Sequence, residues 1–85
     1  PAMNTNLTNV EKATTAALSL ARKLRLTSIA IPGMGTGVGG VPVREAAQTM
    51  IEAIRRHLSE RTSLKRIFLI SIDEELSSAF ESALR

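Results

Sequence analysis

Ser28-Ile-Ala-Ile-Pro-Gly-Met-Gly-Thr-Gly-Val-Gly-Gly-Val-Pro42 decides the fold of this chain. Its first part, Thr27 to Ile31, is β-branched and apolar, and Pro32-Gly33 stops it, so it predicts a short buried strand that empties into a loop. All five glycines of the chain fall within the eight positions from Gly33 to Gly40. Glycine lets the backbone turn through positive φ and approach a ligand closely, so that successive N–H groups converge on phosphate oxygens. Pro42 then suits a first helical turn, whose partial positive charge adds to the same site. Strand, glycine loop and helix together predict a phosphate-binding element over residues 33–42. A merely tight connection would rarely need five glycines.

Outward from this segment, helical and strand periodicities alternate. Val43, Ala46, Ala47, Met50, Ile51, Ile54 and Leu58 form an apolar stripe that predicts a helix ending near Ser59. Ile67 to Ile72 is a nearly continuous apolar run, typical of a strand covered on both faces in a parallel sheet. Asp73 can cap a last helix, with Glu74 and Glu75 in its first turn and Leu76, Ala79, Phe80, Ala83 and Leu84 facing inward. Upstream, Thr8 and Glu11 have capping-box spacing, and Val10, Ala13, Ala17, Leu18, Ala21 and Leu24 follow helical spacing, predicting a helix from about Asn9 to Leu24 after an incoming connection at residues 1–7. The order is α-β-α-β-α. A right-handed crossover puts the middle helix on one sheet face, and the simplest arrangement puts the other two on the opposite face. A two-stranded sheet with such apolar surfaces needs edge partners, supplied by a homo-oligomer or by a complementary chain.

Composition bounds the rest. Eighty-five residues make one domain at most, burying a little over ~60% of the unfolded surface. With no cysteine, disulfides, thiolate nucleophiles and cysteine-ligated zinc are excluded, and a reducing cytoplasm is permitted. The apolar runs fall far short of the ~20 residues that span a bilayer, which predicts a cytoplasmic protein without a membrane partner. A net charge of +3 favours anionic ligands in general. Phe68 and Phe80 are the only aromatics, which argues against a dedicated nucleic-acid binder that stacks bases.

Several motifs can be weighed directly. Gly35, Gly37 and Gly40 match G-x-G-x-x-G, but Pro42 interrupts the direct entry into the helix. The acidic residue after the second strand is Asp73, 33 positions beyond Gly40 (73 − 40), instead of the roughly 20 that a dinucleotide fold needs for its ribose. No Gly-Lys-Ser/Thr follows, which excludes an ATP-hydrolysing P-loop. Thr36 suits a phosphate contact and a turn cap equally well. His57, the only histidine, sits beside Arg55 and Arg56 as a cation at a helix C-terminus. Asp73, Glu74 and Glu75 read as first-turn caps instead of an acid–base pair. Ser71, His57 and Asp73 make a triad only on paper, because G-x-S-x-G is missing and His57 belongs at the far end of the sheet. Arg22, Lys23, Arg25, Arg55, Arg56, Arg61, Lys65 and Arg66 group opposite the glycine loop as a solvated face. No catalytic residue, metal site or cofactor is expected.

The stretch from Ser28 to Gly40 with Pro42 opening a helix, the Ala-Leu-x-Leu-Ala run at Ala17 to Ala21, Pro1-Ala2-Met3 before the first helix, and Ile70-Ser71-Ile72-Asp73 closing the last strand together resemble the C-terminal half of a macro domain. The resemblance covers essentially all 85 residues. It implies a fragment of a three-layer α/β/α fold with parallel strands, forming one partial domain over residues 1–85. It also implies that the loop wraps the diphosphate and distal ribose of ADP-ribose or a related nucleotide. Backbone amides among Gly35, Thr36, Gly37, Val38 and Gly39 would do so, flanked by Gly33, Met34 and Gly40. Ser71 and Ile72 would then lie near the adenine, with Ile72 giving apolar contact where the family often carries an aromatic. The family's N-terminal half supplies the groups associated with hydrolysis of ADP-ribose esters or adducts, so such activity is expected only if that half is present. The alternative is a non-catalytic module that assembles through its sheet edge.

Overall fold

In the computed structural model, residues 2–33, 42–71 and 73–85 are described, with side chains from residue 7 onward. The elements are α1 (Ala2–Lys23), β1 (Ser28–Pro32), α2 (Val43–Leu58), β2 (Arg66–Ile70) and α3 (Glu74–Leu84). This is the expected α/β chain in α-β-α-β-α order. β1 and β2 pair in parallel, with Ile29 beside Ile67, Ala30 beside Phe68 and Ile31 beside Leu69. The ladder continues past both strand ends. Below, the Lys65 and Arg66 amides donate to Thr27 O at 2.7 and 3.1 Å; above, the Gly33 amide donates to Ile70 O at 3.0 Å.

α2 is the centre of the packing. It buries Ala46, Ala47, Met50, Ile51, Ala53, Ile54 and His57, a wider arc than the predicted stripe, which lacked Ala53 and His57. These two extra positions line the seam with Leu18 and Arg22 of α1. On the other flank, Arg55 of α2 donates to the carbonyls of Leu84 (3.1 Å) and Ala83 (3.4 Å), closing the C-terminal turn of α3 with a cation. Val10, Leu18 and Ala21 of α1, Ile31 of β1, and Leu76 and Phe80 of α3 join the α2 stripe in one core, against which Ile29, Ile67 and Leu69 also pack.

This arrangement corrects several expectations. The outer helices do not cross to the far face of the sheet: α1 and α3 both flank α2, so the described residues contain two of the three layers. Because strand side chains alternate, the even-numbered residues of β1 and β2 point away from the helices. Ala30, Pro32, Phe68 and Ile70 are exposed there, Phe68 at 52% and Ile70 at 49%, so β2 is covered on one face and not both. Leu24, Leu58 and Leu84, expected inside, are exposed as well. α1 starts at Ala2, a full two turns before the predicted boundary, so Thr8 lies within the helix and the Thr8–Glu11 spacing marks no N-terminus. Glu11 instead accepts a 2.7 Å ion pair from Arg56 of α2. Thr14, fully buried in α1, donates its hydroxyl to Val10 O at 2.8 Å, satisfying a polar group the apolar pattern had no place for.

A one-sided core predicts a sharp asymmetry in mutational cost. Met50→Ala, on the helix-covered side, should lose about 2–5 kcal/mol in urea unfolding. Phe68→Ser, on the exposed side, should lose under about 1 kcal/mol.

Candidate functional site

The C-terminal ends of two parallel strands and the N-termini of the helices that follow them meet at one end of the sheet, the position where open α/β sheets bind ligands. β1 delivers Gly33 there and β2 delivers Ser71, while α2 begins at Val43 and α3 at Glu74. Of the expected ligand residues, Gly33 and Ser71 are therefore brought to the same end. Met34, Gly35, Thr36, Gly37, Val38, Gly39, Gly40 and Ile72 lie outside the described residues.

Gly33 is held on two sides. Its amide is paired to Ile70, and a Cβ built on it would overlap the Leu76 side chain, itself buried in the core. Glycine is thus required here for close packing against α3. Periodicity gives no hint of this pair, since it depends on how α3 closes over the strand ends. Ser71 is half-buried, and its hydroxyl is hydrogen-bonded to that of Ser77 in α3, a partner the sequence did not single out.

The two helix N-termini differ. α3 is closed by the Asp73 carboxylate, which accepts from the Leu76 amide at 2.9 Å, as predicted. α2 starts from Pro42 in an extended conformation (φ −60°, ψ 135°), and Pro42 gives its first turn no side-chain cap. Side-chain charge at this end is mainly acidic, with Glu45 in the first turn of α2 and Glu74 and Glu75 in that of α3; Arg44 is the nearby cation. An anion bound here would rely on backbone amides and the α2 dipole more than on basic side chains. An open cleft of about 440 Å³ runs between Pro42, Val43 and Arg44 on one side and Glu75, Ser78, Ala79 and Ser82 on the other.

The other candidates fall elsewhere. His57, 8% exposed at the C-terminal end of α2, pairs Nε2 with the Thr62 hydroxyl at 2.8 Å, while that hydroxyl oxygen accepts from the Leu64 amide at 3.2 Å. It is thus a satisfied core histidine at the end of the sheet opposite Ser71 and Asp73, and the paper triad is not assembled. Among the described residues, no three His, Cys, Asp or Glu side chains gather closely enough to hold a metal ion. An apolar hollow of about 270 Å³ beside β2 is lined by Ile51, Ile54, Leu58 and Leu64 among others, with none of Gly33, Pro42 and Ser71 in its wall. No helix among the described residues is long and apolar enough to cross a membrane.

Comparison with known proteins agrees with this geometry. Residues 1–50 match the family model described as the Macro domain. An uncharacterized protein of Aquifex aeolicus is 50% identical over 84 residues, covering 99% of this chain and 50% of the relative. The O-acetyl-ADP-ribose deacetylase of Klebsiella pneumoniae is 33% identical over 67 residues, covering 79% of this chain and 38% of the enzyme. Among solved structures, the Trypanosoma brucei macrodomain in complex with ADP-ribose superposes with a TM-score of 0.83 at 27% identity, covering 89% of this chain and 33% of that one. The chain thus spans half or less of the length of these relatives.

The close fit at Gly33 predicts that Gly33→Ala costs about 1–3 kcal/mol through overpacking against Leu76. Urea unfolding with native-like far-ultraviolet dichroism would check it; an unchanged midpoint would mean that α3 does not close over the strand ends.

Proposed function

This chain belongs to the macro domain family, and on that premise we propose that it binds ADP-ribose, or a related nucleotide diphosphate, through the glycine loop between β1 and α2. The observation that carries this reading is the N-terminus of α2, which Pro42 leaves without a side-chain cap, following the C-terminal end of β1, with the chain's five glycines in and beside the intervening loop. Backbone amides of Gly35, Thr36, Gly37, Val38 and Gly39 would hold the diphosphate. Gly33, Met34 and Gly40 would shape the loop, and Ser71 and Ile72 would border the base. The ADP-ribose named with the trypanosomal macrodomain supports the ligand.

In this reading the chain provides the phosphate half of a site and no catalytic residue. Hydrolysis of ADP-ribose esters or adducts, the type of activity in the name of the Klebsiella relative, would require a complementary N-terminal half. The bare sheet face of Ala30, Pro32, Phe68 and Ile70 favours a second, compatible reading as an assembly module. Four adjacent apolar side chains on paired strands make a surface for a homo-oligomer or for that complementary half.

Calorimetric titration of ADP-ribose, with AMP and NAD as controls, should give saturable binding selective for ADP-ribose, and Gly37→Val should abolish it without unfolding the chain. No heat from a folded sample would sink autonomous recognition. Sedimentation equilibrium on the same sample would then report whether the assembly reading stands, with a monomer at all concentrations counting against self-association.

A further inference from the structure

Among the described residues the sheet has two strands, and β2 keeps a free edge. In the parallel ladder the even-numbered residues of β2 face β1, as the bonds from the Arg66 amide to Thr27 O (3.1 Å) and from the Gly33 amide to Ile70 O (3.0 Å) require. The amides and carbonyls of Ile67 and Leu69 are therefore turned to the opposite side. The same alternation turns Ser28, Ala30 and Pro32 to the outer edge of β1, where Pro32 has no amide to offer. Of the two edges, that of β2 is the better able to extend the sheet.

Two hollows lie along β2, of about 270 Å³ and about 410 Å³, and Ile67, Leu69 and Leu84 line both. Leu58 belongs to the first. Leu58 and Leu84 are the residues that the helical pattern puts inside, yet they are 49% and 55% exposed. Their burial is completed only by something laid beside β2. An added strand turns one set of alternate side chains toward the hollows and the other set toward the bare face beside Phe68 and Ile70, so it must be apolar on both faces. β2 is itself such a strand, with Ile67 and Leu69 on one face and Phe68 and Ile70 on the other. Charge sets its direction. The hollow that reaches the residues before β2 has Lys65 in its wall, and the hollow that reaches Ser71 beyond β2 has Glu81. Neither is in an ion pair among the described residues.

We infer that the β2 edge docks a second copy of this chain, whose β2 runs antiparallel to the first about a two-fold axis. A contact of this kind is self-complementary: the two sheets become one, and Lys65 of each copy meets Glu81 of the other. The inference deepens the assembly reading and rests on it, moving the contact from the bare face to the strand edge.

Sedimentation velocity of the chain and its charge variants tests the pairing. The chain itself should dimerise. Lys65→Glu and Glu81→Lys, taken singly, place like charges at both symmetry-related contacts and should weaken the dimer on the order of 10-fold at low salt. Mixing the two variants, or joining both substitutions in one chain, sets opposite charges face to face again and should recover the original affinity. A general effect of net charge on solubility would leave the joined variant's parent substitutions indistinguishable from any other surface charge change. A monomer at all concentrations, as would follow if the edge were reserved for a strand of a longer protein, overturns the inference. So does a dimer that the single variants leave intact, or one that the mixture fails to restore. A dimer indifferent to these charges but lost in Ala30→Glu, on the bare face of β1, would keep the assembly reading and overturn the edge pairing.

Discussion

Everything at the C-terminal end of the sheet depends on how far up the two strands stay paired. The bond from the Gly33 amide to Ile70 O, at 3.0 Å, carries the ladder one residue past β1 and fixes the point from which the glycine loop departs. The packing of Leu76 against the same glycine fixes the start of α3 relative to it. In the proposed reading, a loop that recognises phosphate by amides works only if its two anchors are rigid, because converging donors must be placed before the ligand arrives. Here one anchor is this strand end, and the other is α2, the helix on which the whole core is built.

The two ends of the sheet have opposite characters. At the C-terminal strand ends, acids fill the first helical turns, one helix is capped by the Asp73 carboxylate and the other starts at a proline that gives it no side-chain cap. At the N-terminal strand ends, cations crowd two connections that side-chain and backbone hydrogen bonds bind together. The sense of the helix dipoles accounts for part of this polarity, since acids favour helix starts and bases helix ends. Arg61, Lys65 and Arg66, in no ion pair among the described residues, lie outside the helices, and Arg25 sits where glycine is preferred, so the dipoles do not account for all of it.

Much of this architecture was legible in the residues. The strand at Ser28, the cap at Asp73 and the apolar stripe of α2 are local signals, each set by propensity or by spacing within one element, and the element order follows from them. What the pattern did not show was non-local. Ala53 and His57 are buried because α1 lies beside α2, and Phe68 and Ile70 are bare because both outer helices chose the same face. A continuous apolar run cannot say which of its faces this chain itself covers. At the site, the places of Gly33 and Ser71 at the strand ends were legible, but their contacts with Leu76 and Ser77 required α3 to be folded back over them. The Thr8–Glu11 spacing misled because a capping pair resembles any Thr and Glu three residues apart inside a longer helix.

The most direct test of the account is amide chemical-shift mapping of the isotopically labelled chain with and without ADP-ribose. The account predicts shifts concentrated at Gly33, Val43, Arg44 and Ser71 and in the glycine loop, with His57, Lys65 and Arg66 at the other end unmoved. Shifts centred on the His57–Arg66 end, or none at saturating ligand, would contradict the claim that the strand end at Gly33 and the start of α2 frame a nucleotide site.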